Sequence, residues 1–156
     1  MLIQLCYCSK YKSGGLTLIE DIRDILITAK QFNFQHDIHG TLYYADGSFL
    51  QCLEGEETTI RHLYANILKD RRHEHIHLLK IEKINDIRFK KWTMKYVSIT
   101  DPVKSLMNDL HFDHFTPERL TETQLDQIVD ILYLENEQEA YSAGPSTKRF
   151  HYSHYF

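Results

Sequence analysis

One amide side chain stands on a face of a predicted β-hairpin that is otherwise apolar. Asp46-Gly47 suits the two-residue loop of a type I′ turn, because both residues of that turn need positive φ. The loop fixes the register of the hairpin, so that Gln51 lies opposite Leu42. Since a buried amide without a partner costs about 1–3 kcal/mol, Gln51 must form hydrogen bonds. An amide can bond a phenol and a heterocycle together, and Tyr7 is a suitable phenol.

Further polar and polarizable side chains are expected near the same face. Asn33 follows the first predicted helix, and Trp92 and Met94 share one face of the last predicted strand. Together these groups would suit a flat heteroaromatic ligand with polar edges, because cofactor sites combine an apolar pocket with a few placed polar groups. Two plainer explanations stay open. Trp92 and Met94 alone fit simple core packing, and a Gln51–Tyr7 pair could serve the core.

The elements that would position these side chains follow from hydrophobic periodicity. Alternating or continuous apolar runs predict strands, and apolar residues at i, i+3, i+4 and i+7 predict helices. Thr17 and Glu20 match a capping box at a helix start, and Pro102 behind Asp101 is typical of a helix entry. Strands are expected at 2–8, 38–45, 48–53, 76–83 and 91–99, and helices from Thr17 to about 31–33, after Gly55 to about Lys69, from Pro102, and at about 117–135.

The resulting order is β-α-β-β-α-β-β, which defines an α+β fold. Helices that join strands favour two helices on one face of a mixed sheet, with right-handed crossovers. We therefore predict a ferredoxin-like domain with a five-stranded mixed sheet and two helices on one face, followed by C-terminal helices. The apolar stripes of those last helices must pack on the bare face of the sheet or on a partner.

Composition and charge exclude several classes of protein. The chain has 156 residues and a formal net charge of −4, which disfavours sequence-independent binding of nucleic acid. No apolar run approaches the ~20 residues that a membrane span needs, and the N-terminus does not resemble a signal peptide. Three cysteines, with Cys6 and Cys8 too close for a disulfide framework, fit a reducing cytoplasm.

A set of short motifs runs through residues 1–98 in a fixed order. It comprises Tyr7 and Ser9 on the first strand, Asn33 after the helix, the run from Tyr43 to Gly55, the run Asp70-Arg71-Arg72-His73, and Trp92 with Met94. In order and spacing this set resembles the BLUF family, whose members sense blue light using a flavin, and the stretch from Phe49 to Gly55 is its most diagnostic part.

The resemblance implies a division of the chain into three parts. Residues 1–98 would form the flavin-binding BLUF domain, and 99–135 a C-terminal helical extension like that of short stand-alone members of the family. Residues 136–156, polar with scattered aromatics, are expected to form a mobile tail.

The resemblance also implies a role for each matched residue. The flavin, usually FAD, would lie between the two helices over the sheet. Tyr7 and Gln51 would form a photochemical relay, in which blue light moves an electron and a proton from Tyr7, the proton passing through Gln51 and leaving its amide rotated or tautomerised. No substrate is turned over, so the chain is not expected to be an enzyme. Ser9, Ile25, Asn33, Asp70, Arg72 and His73 match positions that contact the flavin, and Trp92 and Met94 match strand residues that respond to Gln51.

Two positions depart from the pattern of some BLUF proteins. Phe32 stands where some members have a His before the Asn, so a polar contact to the ring is not expected there. Cys52 stands where some have a Trp after the Gln. Neither change touches the Tyr7–Gln51 pair.

Other functions compete with this interpretation. His73, His75 and His77 alternate like metal ligands, but no carboxylate or Cys completes a tetrahedral set nearby, so no metal is expected. A chromophore-free ferredoxin-like protein-interaction module remains open, because a fold alone does not define a function. A small acylphosphatase-like hydrolase would need an anion-binding loop, for which residues 10–15 are a weak candidate.

The sequence carries no recognisable output domain after the last predicted helix. A light signal is therefore expected to pass to a regulatory protein in trans, through the last strand and the C-terminal helices, or to change self-association into a homo-oligomer.

Overall fold

The computed structural model describes residues 1–13, 17–96 and 101–142 of the chain. It contains ten elements in the following order: β1 (Leu2–Tyr11), α1 (Leu18–Gln35), β2 (His39–Ala45), β3 (Ser48–Glu56), α2 (Glu57–Ile67), β4 (His73–Lys83), β5 (Trp92–Tyr96), α3 (Pro102–Asp109), a short 3₁₀ turn (Pro117–Arg119) and α4 (Glu122–Ser142). No helix among these residues is long and apolar enough to cross a membrane.

The strands form one sheet in the order β4-β1-β3-β2-β5. The first four pair antiparallel, and β5 lies parallel to β2 at the edge. The predicted α+β class and ferredoxin-like arrangement are confirmed. Strands β1, β3 and β2 each pair on both sides, and two of these interior strands, β1 and β3, carry the candidate relay.

The hairpin has the predicted turn and the predicted register. Asp46 has φ 49° and Gly47 has φ 75°, and Leu42 pairs with Gln51. On the other side of β3, Tyr7 of β1 pairs with Gln51. Since paired residues on adjacent strands point to the same side of a sheet, Tyr7 and Gln51 stand next to each other on one face.

Both faces of the sheet are covered, each by its own hydrophobic core. Helices α1 and α2 cover one face, and α3 and α4 cover the other, which shows that the C-terminal helices pack on the face that α1 and α2 leave bare. The α1/α2 core contains the buried residues Ile3, Leu5, Tyr7, Ile38, Leu42, Phe49, Leu53, Ile60 and Trp92. The α3/α4 core contains Cys6, Tyr43, Ala45, Leu50, Cys52, Phe89, Val103, Met107, Phe115, Leu125, Ile128, Val129 and Leu132.

The helix boundaries differ from the prediction mainly at the C-terminal end. Helix α1 begins at the predicted Thr17 capping box but continues to Gln35. The single helix expected at 117–135 is instead a 3₁₀ turn and α4. The Thr121 side chain accepts the N–H of Gln124 at 3.3 Å, and the Gln124 side chain accepts the N–H of Thr121 at 2.9 Å. Helix α4 therefore starts at this cap rather than at Pro117.

Helix α4 also runs past the predicted end at residue 135. Asn136 is fully buried, and its amide bonds backbone groups of Lys90 and Lys91. The predicted helix end at about 135 is therefore wrong, because residues 136–142, assigned to the tail by the prediction, are helical. The remainder of that tail, 143–156, and positions 97–99 of the last predicted strand lie outside the described residues.

Candidate functional site

A cavity of about 280 Å³ lies between helices α1 and α2 and the sheet. Its size is near the lower end of the roughly 300–1,000 Å³ that small-molecule sites occupy. The space between the two helices is therefore not filled with side chains. The cavity is lined by Tyr7, Ile25, Thr28, Ala29, Phe32, Asn33, Leu42, Phe49, Gln51, Leu63, Asn66, Ile67, Asp70, Arg72 and His73.

Tyr7 and Gln51 form a short hydrogen bond at the base of this cavity. The Tyr7 hydroxyl donates to Gln51 Oε1 at 2.5 Å, and both residues are buried. Burial raises the pKa of Tyr7 well above its usual value, and the nearby Tyr64 and Asp70 act in the same direction. Tyr7 therefore remains a protonated phenol and a hydrogen-bond donor. The bond uses only the carbonyl end of the Gln51 amide.

Asn33 brings a second amide to the cavity. It is 1% exposed, and neither Oδ1 nor Nδ2 has a hydrogen-bond partner among the residues that the structure describes. Its backbone is held in place, because Asn33 C=O accepts the N–H of Ile38 at 2.8 Å. A buried amide with both ends unsatisfied is uncommon in native proteins and points to a partner outside the chain. A flat heterocycle with a donor and an acceptor on one edge would satisfy it.

A salt bridge closes the rim of the cavity. Arg72 Nε donates to both oxygens of Asp70 at 3.0 and 3.1 Å, and Arg72 Nη2 donates to Oδ2 at 2.5 Å. Burial opposes ionisation of Asp70, but the hydrogen bonds from Arg72 outweigh it and lower the pKa of the carboxyl. The pair fixes the guanidinium plane at the rim. Because a guanidinium has five N–H groups, others remain for a ligand.

His73 lies beside this pair, and hydrogen bonds at both ring nitrogens fix its orientation. His73 Nε2 donates to Ile67 C=O at 3.0 Å, so in the neutral ring Nδ1 accepts the Ser9 hydroxyl at 2.9 Å. Burial lowers the pKa of His73 and favours this neutral form. Ser9 does not line the cavity. Its position lets it act on a ligand through His73 rather than by direct contact.

The two residues predicted to respond to Gln51 lie on β5. Trp92 is buried in the α1/α2 core, with its backbone paired to Gly40 of β2. It does not line the cavity, and its Nε1 has no hydrogen-bond partner among the described residues. Met94 pairs with Leu42 through the backbone, and its side chain lies outside what the structure describes.

Sequence reasoning missed two polar residues in the cavity wall, Thr28 and Asn66. Both could have been found from helical spacing. Ile25, Thr28, Ala29 and Phe32 recur at i, i+3, i+4 and i+7 on α1, and Leu63, Asn66, Ile67 and Asp70 repeat the same spacing at α2 and just beyond it. Each series forms one helix face, and that face lines the cavity.

The described histidine and cysteine side chains do not gather into a metal cluster, and Cys6 Sγ lies 2.8 Å from Cys52 Sγ. Over the described residues, no three His, Cys, Asp or Glu side chains come close enough to hold a metal ion. Cys6, Cys8 and Cys52 are buried free thiols. Burial raises the pKa of Cys8 to about 11, so its reactive thiolate form is scarce at neutral pH.

Comparison with known proteins places this arrangement in a family. A sequence model of the BLUF family, described as "Sensors of blue-light using FAD", matches residues 2–95. The solved structure of the BlsA ground state is similar over 86% of this chain and 89% of its own, with 36% identity and a TM-score of 0.79. The dark-state structure of BlrB, a BLUF protein, is similar over 86% and 96%, with 25% identity and a TM-score of 0.71.

A curated relative matches a shorter stretch. The photoactivated adenylate cyclase subunit beta of Euglena longa is 35% identical over 75 residues, which are 47% of this chain and 9% of that protein. The chain thus spans under a tenth of the length of this relative. Since the BLUF sequence model matches well over half of the 156 residues, the chain belongs to the BLUF family of blue-light, flavin-binding photoreceptors.

Proposed function

We propose that this chain is a blue-light photoreceptor that binds FAD non-covalently in the cavity between α1 and α2. The observation that supports it best is the pair of buried amides on that cavity. Gln51 is bonded to Tyr7 through its carbonyl end only, and Asn33 has no partner among the described residues. A core that needed no ligand would gain stability from apolar side chains at Asn33.

The chain's residues suit a flavin in distinct ways. Asn33 would bond the polar edge of the ring, and Gln51 would bond it from the sheet. Ile25 and its helical neighbours would cover the ring face, Arg72 and His73 would approach from the rim, and Ser9 would hold His73 in place. A bound flavin would supply absorption of blue light and a light-driven electron acceptor.

Tyr7 and Gln51 would perform the proton movements. The phenolic proton of Tyr7 lies along the 2.5 Å bond to Gln51 Oε1, so a Tyr7 that loses an electron would release its proton toward Gln51. The amide could pass a proton from its nitrogen end to a flavin bound beside it and take one back when the electron and proton return to Tyr7. Gln51 would then be left rotated or tautomerised, and it would relax thermally in the dark. The cycle therefore has no net turnover of substrate, and the protein would be a sensor rather than an enzyme.

The signal would leave through β5 and the C-terminal helices to a separate regulatory protein, or as a change in self-association. The Euglena relative is named as a photoactivated adenylate cyclase subunit. In this chain, helices α3 and α4 cover the sheet face opposite the cavity. A second copy of the chain and an unrelated regulator are both compatible with this route. A cytoplasmic location and FAD as the bound flavin stay predictions.

Absorption spectroscopy tests the proposal. Purified protein with flavin should show a flavin spectrum that shifts to the red under blue light and relaxes in darkness. Tyr7→Phe and Gln51→Leu should keep the flavin and lose the shift. Tyr43→Phe is the matched control, because Tyr43 is equally buried but belongs to the α3/α4 core.

Two outcomes would contradict the proposal. A colourless protein that takes up no added flavin would favour the chromophore-free interaction module. A normal light–dark cycle in Tyr7→Phe would show that the relay is wrong even if the flavin is bound.

A further inference from the structure

The backbone just before β5 is held by two buried side chains that belong to different elements. Glu54 of β3, fully buried, accepts the N–H groups of Arg88 and Phe89 at 2.7 and 3.0 Å. Asn136 of α4, also fully buried, accepts the N–H of Lys90 at 3.0 Å and donates to Lys91 C=O at 3.1 Å. All four residues from 88 to 91 are therefore fixed by side chains that lie far away in the sequence.

The side chain of Arg88 adds a second link to the same helix. Arg88 Nη2 donates to Asp130 Oδ1 at 2.8 Å, and the guanidinium carbon lies 4.5 Å from the centre of the Tyr133 ring. Asp130, Tyr133 and Asn136 recur every three residues and share a face of α4. The Arg88–Asp130 pair is partly exposed and contributes little by itself, so Asn136 is the stronger of the two links.

This segment also passes from one side of the sheet to the other. Phe89 belongs to the α3/α4 core, whereas Trp92, three residues later, belongs to the α1/α2 core beside the cavity. Lys91 C=O accepts a long bond of 3.5 Å from the N–H of Gly40 where β5 begins to pair with β2. Asn136 thus holds the chain at the point where it enters the sheet edge next to Trp92.

We infer that Asn136 is a positioning residue that sets the placement of Trp92 and couples helix α4 to the cavity. The Asn136 amide accepts one backbone N–H and donates to the C=O of the next residue. An Asp side chain could still accept the N–H but could not donate to the C=O, and an Ala side chain could do neither. By linkage, coupling is reciprocal. An event that displaces α4 shifts Trp92, and a change at the cavity shifts α4. The light-dependent part of this inference rests on the proposed function, whereas the positioning of Trp92 in the dark does not.

The test uses the fact that Trp92 is the only tryptophan of the chain, so one indole N–H signal in an NMR spectrum reports on it. Asn136→Ala, Asn136→Asp and the control Leu134→Ala are compared in the flavin-loaded protein in darkness. Leu134 lies on α4 but is exposed. Amide hydrogen exchange of Lys90, the indole signal and the thermal dark-recovery rate after blue light are measured for each.

Loss of a buried backbone partner predicts that the Lys90 amide exchanges roughly tenfold faster in Asn136→Ala than in the control. The indole signal should move and the dark-recovery rate should change, while Leu134→Ala matches the wild type in all three readouts. Asn136→Asp should restore slow exchange at Lys90, because its carboxylate still accepts that N–H, and it remains informative should the Ala variant fold poorly.

The inference is overturned if Asn136→Ala and Leu134→Ala behave alike, or if Lys90 exchange accelerates while the Trp92 signal and dark recovery stay unchanged. A wild-type protein without any photocycle would instead refute the proposed function, since exchange at Lys90 and the Trp92 signal still report the positioning in darkness.

Discussion

Asn33→Leu should make the flavin-free protein more stable than the wild type, and added flavin should remove that advantage. Both polar atoms of Asn33 are buried without partners among the described residues. Leu is close in volume and needs no hydrogen bonds, so it removes a desolvation cost of about 1–3 kcal/mol. Leu is also the better helix former by up to about 0.7 kcal/mol. A gain of about 2 kcal/mol corresponds to a rise in melting temperature of roughly 4–8 °C at this chain length.

With flavin present, the stability advantage of the variant should disappear. Loss of two hydrogen bonds to the ring would weaken binding by about 2 kcal/mol, or about 30-fold in Kd. Since a ligand stabilises the fold by RT ln(1 + [L]/Kd), a saturated wild type gains about 2 kcal/mol more from the same flavin than the variant does. The two melting temperatures should therefore converge or cross as flavin is added.

The assay is thermal or urea unfolding of both proteins over a flavin titration. Asn108→Leu is the control for helix propensity, because Asn108 is an exposed residue of α3 that does not line the cavity. If Asn33→Leu lowers the stability of the flavin-free protein below that of Asn108→Leu, the Asn33 amide already has partners in the fold, and the case for a ligand there fails.

Two further predictions concern pH and packing. The pKa of His73 is lowered by burial. The stabilising contribution of His73 is therefore present above its unfolded pKa near 6.5 and is lost as pH falls through its lower folded pKa. Between pH 8 and pH 5, urea unfolding should show a smaller loss of stability in His73→Gln than in the wild type, and equal losses would contradict this. A Cβ on Gly40, which has φ 139°, would lie 2.0 Å from the backbone oxygen of Cys52, so Gly40→Ala should destabilise the fold by about 3 kcal/mol or more. Gly47 has φ 75° and open space around its Cα, so Gly47→Ala should destabilise the fold by only about 1–2 kcal/mol. Similar unfolding midpoints for the two variants would refute the contact at Gly40.

The hairpin and its register could be predicted because they depend on local chemistry. Asp46-Gly47 selects the turn, and the turn sets which residues of β2 and β3 face each other. The alternation of β1 likewise gives the correct face for Tyr7. The pairing of Tyr7 with Gln51 joins residues that are 44 positions apart. Local chemistry offered Tyr7 only as a suitable phenol, and the resemblance to BLUF motifs singled out the pair.

The parts that sequence reasoning could not supply depend on tertiary contacts. Nothing in the local sequence predicts a helix through Asn136, because its partners are backbone groups of Lys90 and Lys91, which no pattern of side chains reveals. The same holds for Ser9, whose position behind His73 follows from how β4 pairs with β1. Local propensity is a weak prior wherever such contacts exist.

The sheet separates the proposed light-sensing residues from the helices that would carry the signal. Tyr7 and Gln51 face α1 and α2, while their neighbours Cys6 and Cys52 face α3 and α4. Strands β1 and β3 are paired on both sides, so their backbones are hard to displace, whereas β5 pairs only with β2 in the part of the chain that the structure describes. An edge strand with one partner loses fewer hydrogen bonds when it moves. A change in Gln51 is therefore more easily transmitted along the sheet to β5, and from there through residues 88–91 to α4, than directly through the centre of the sheet.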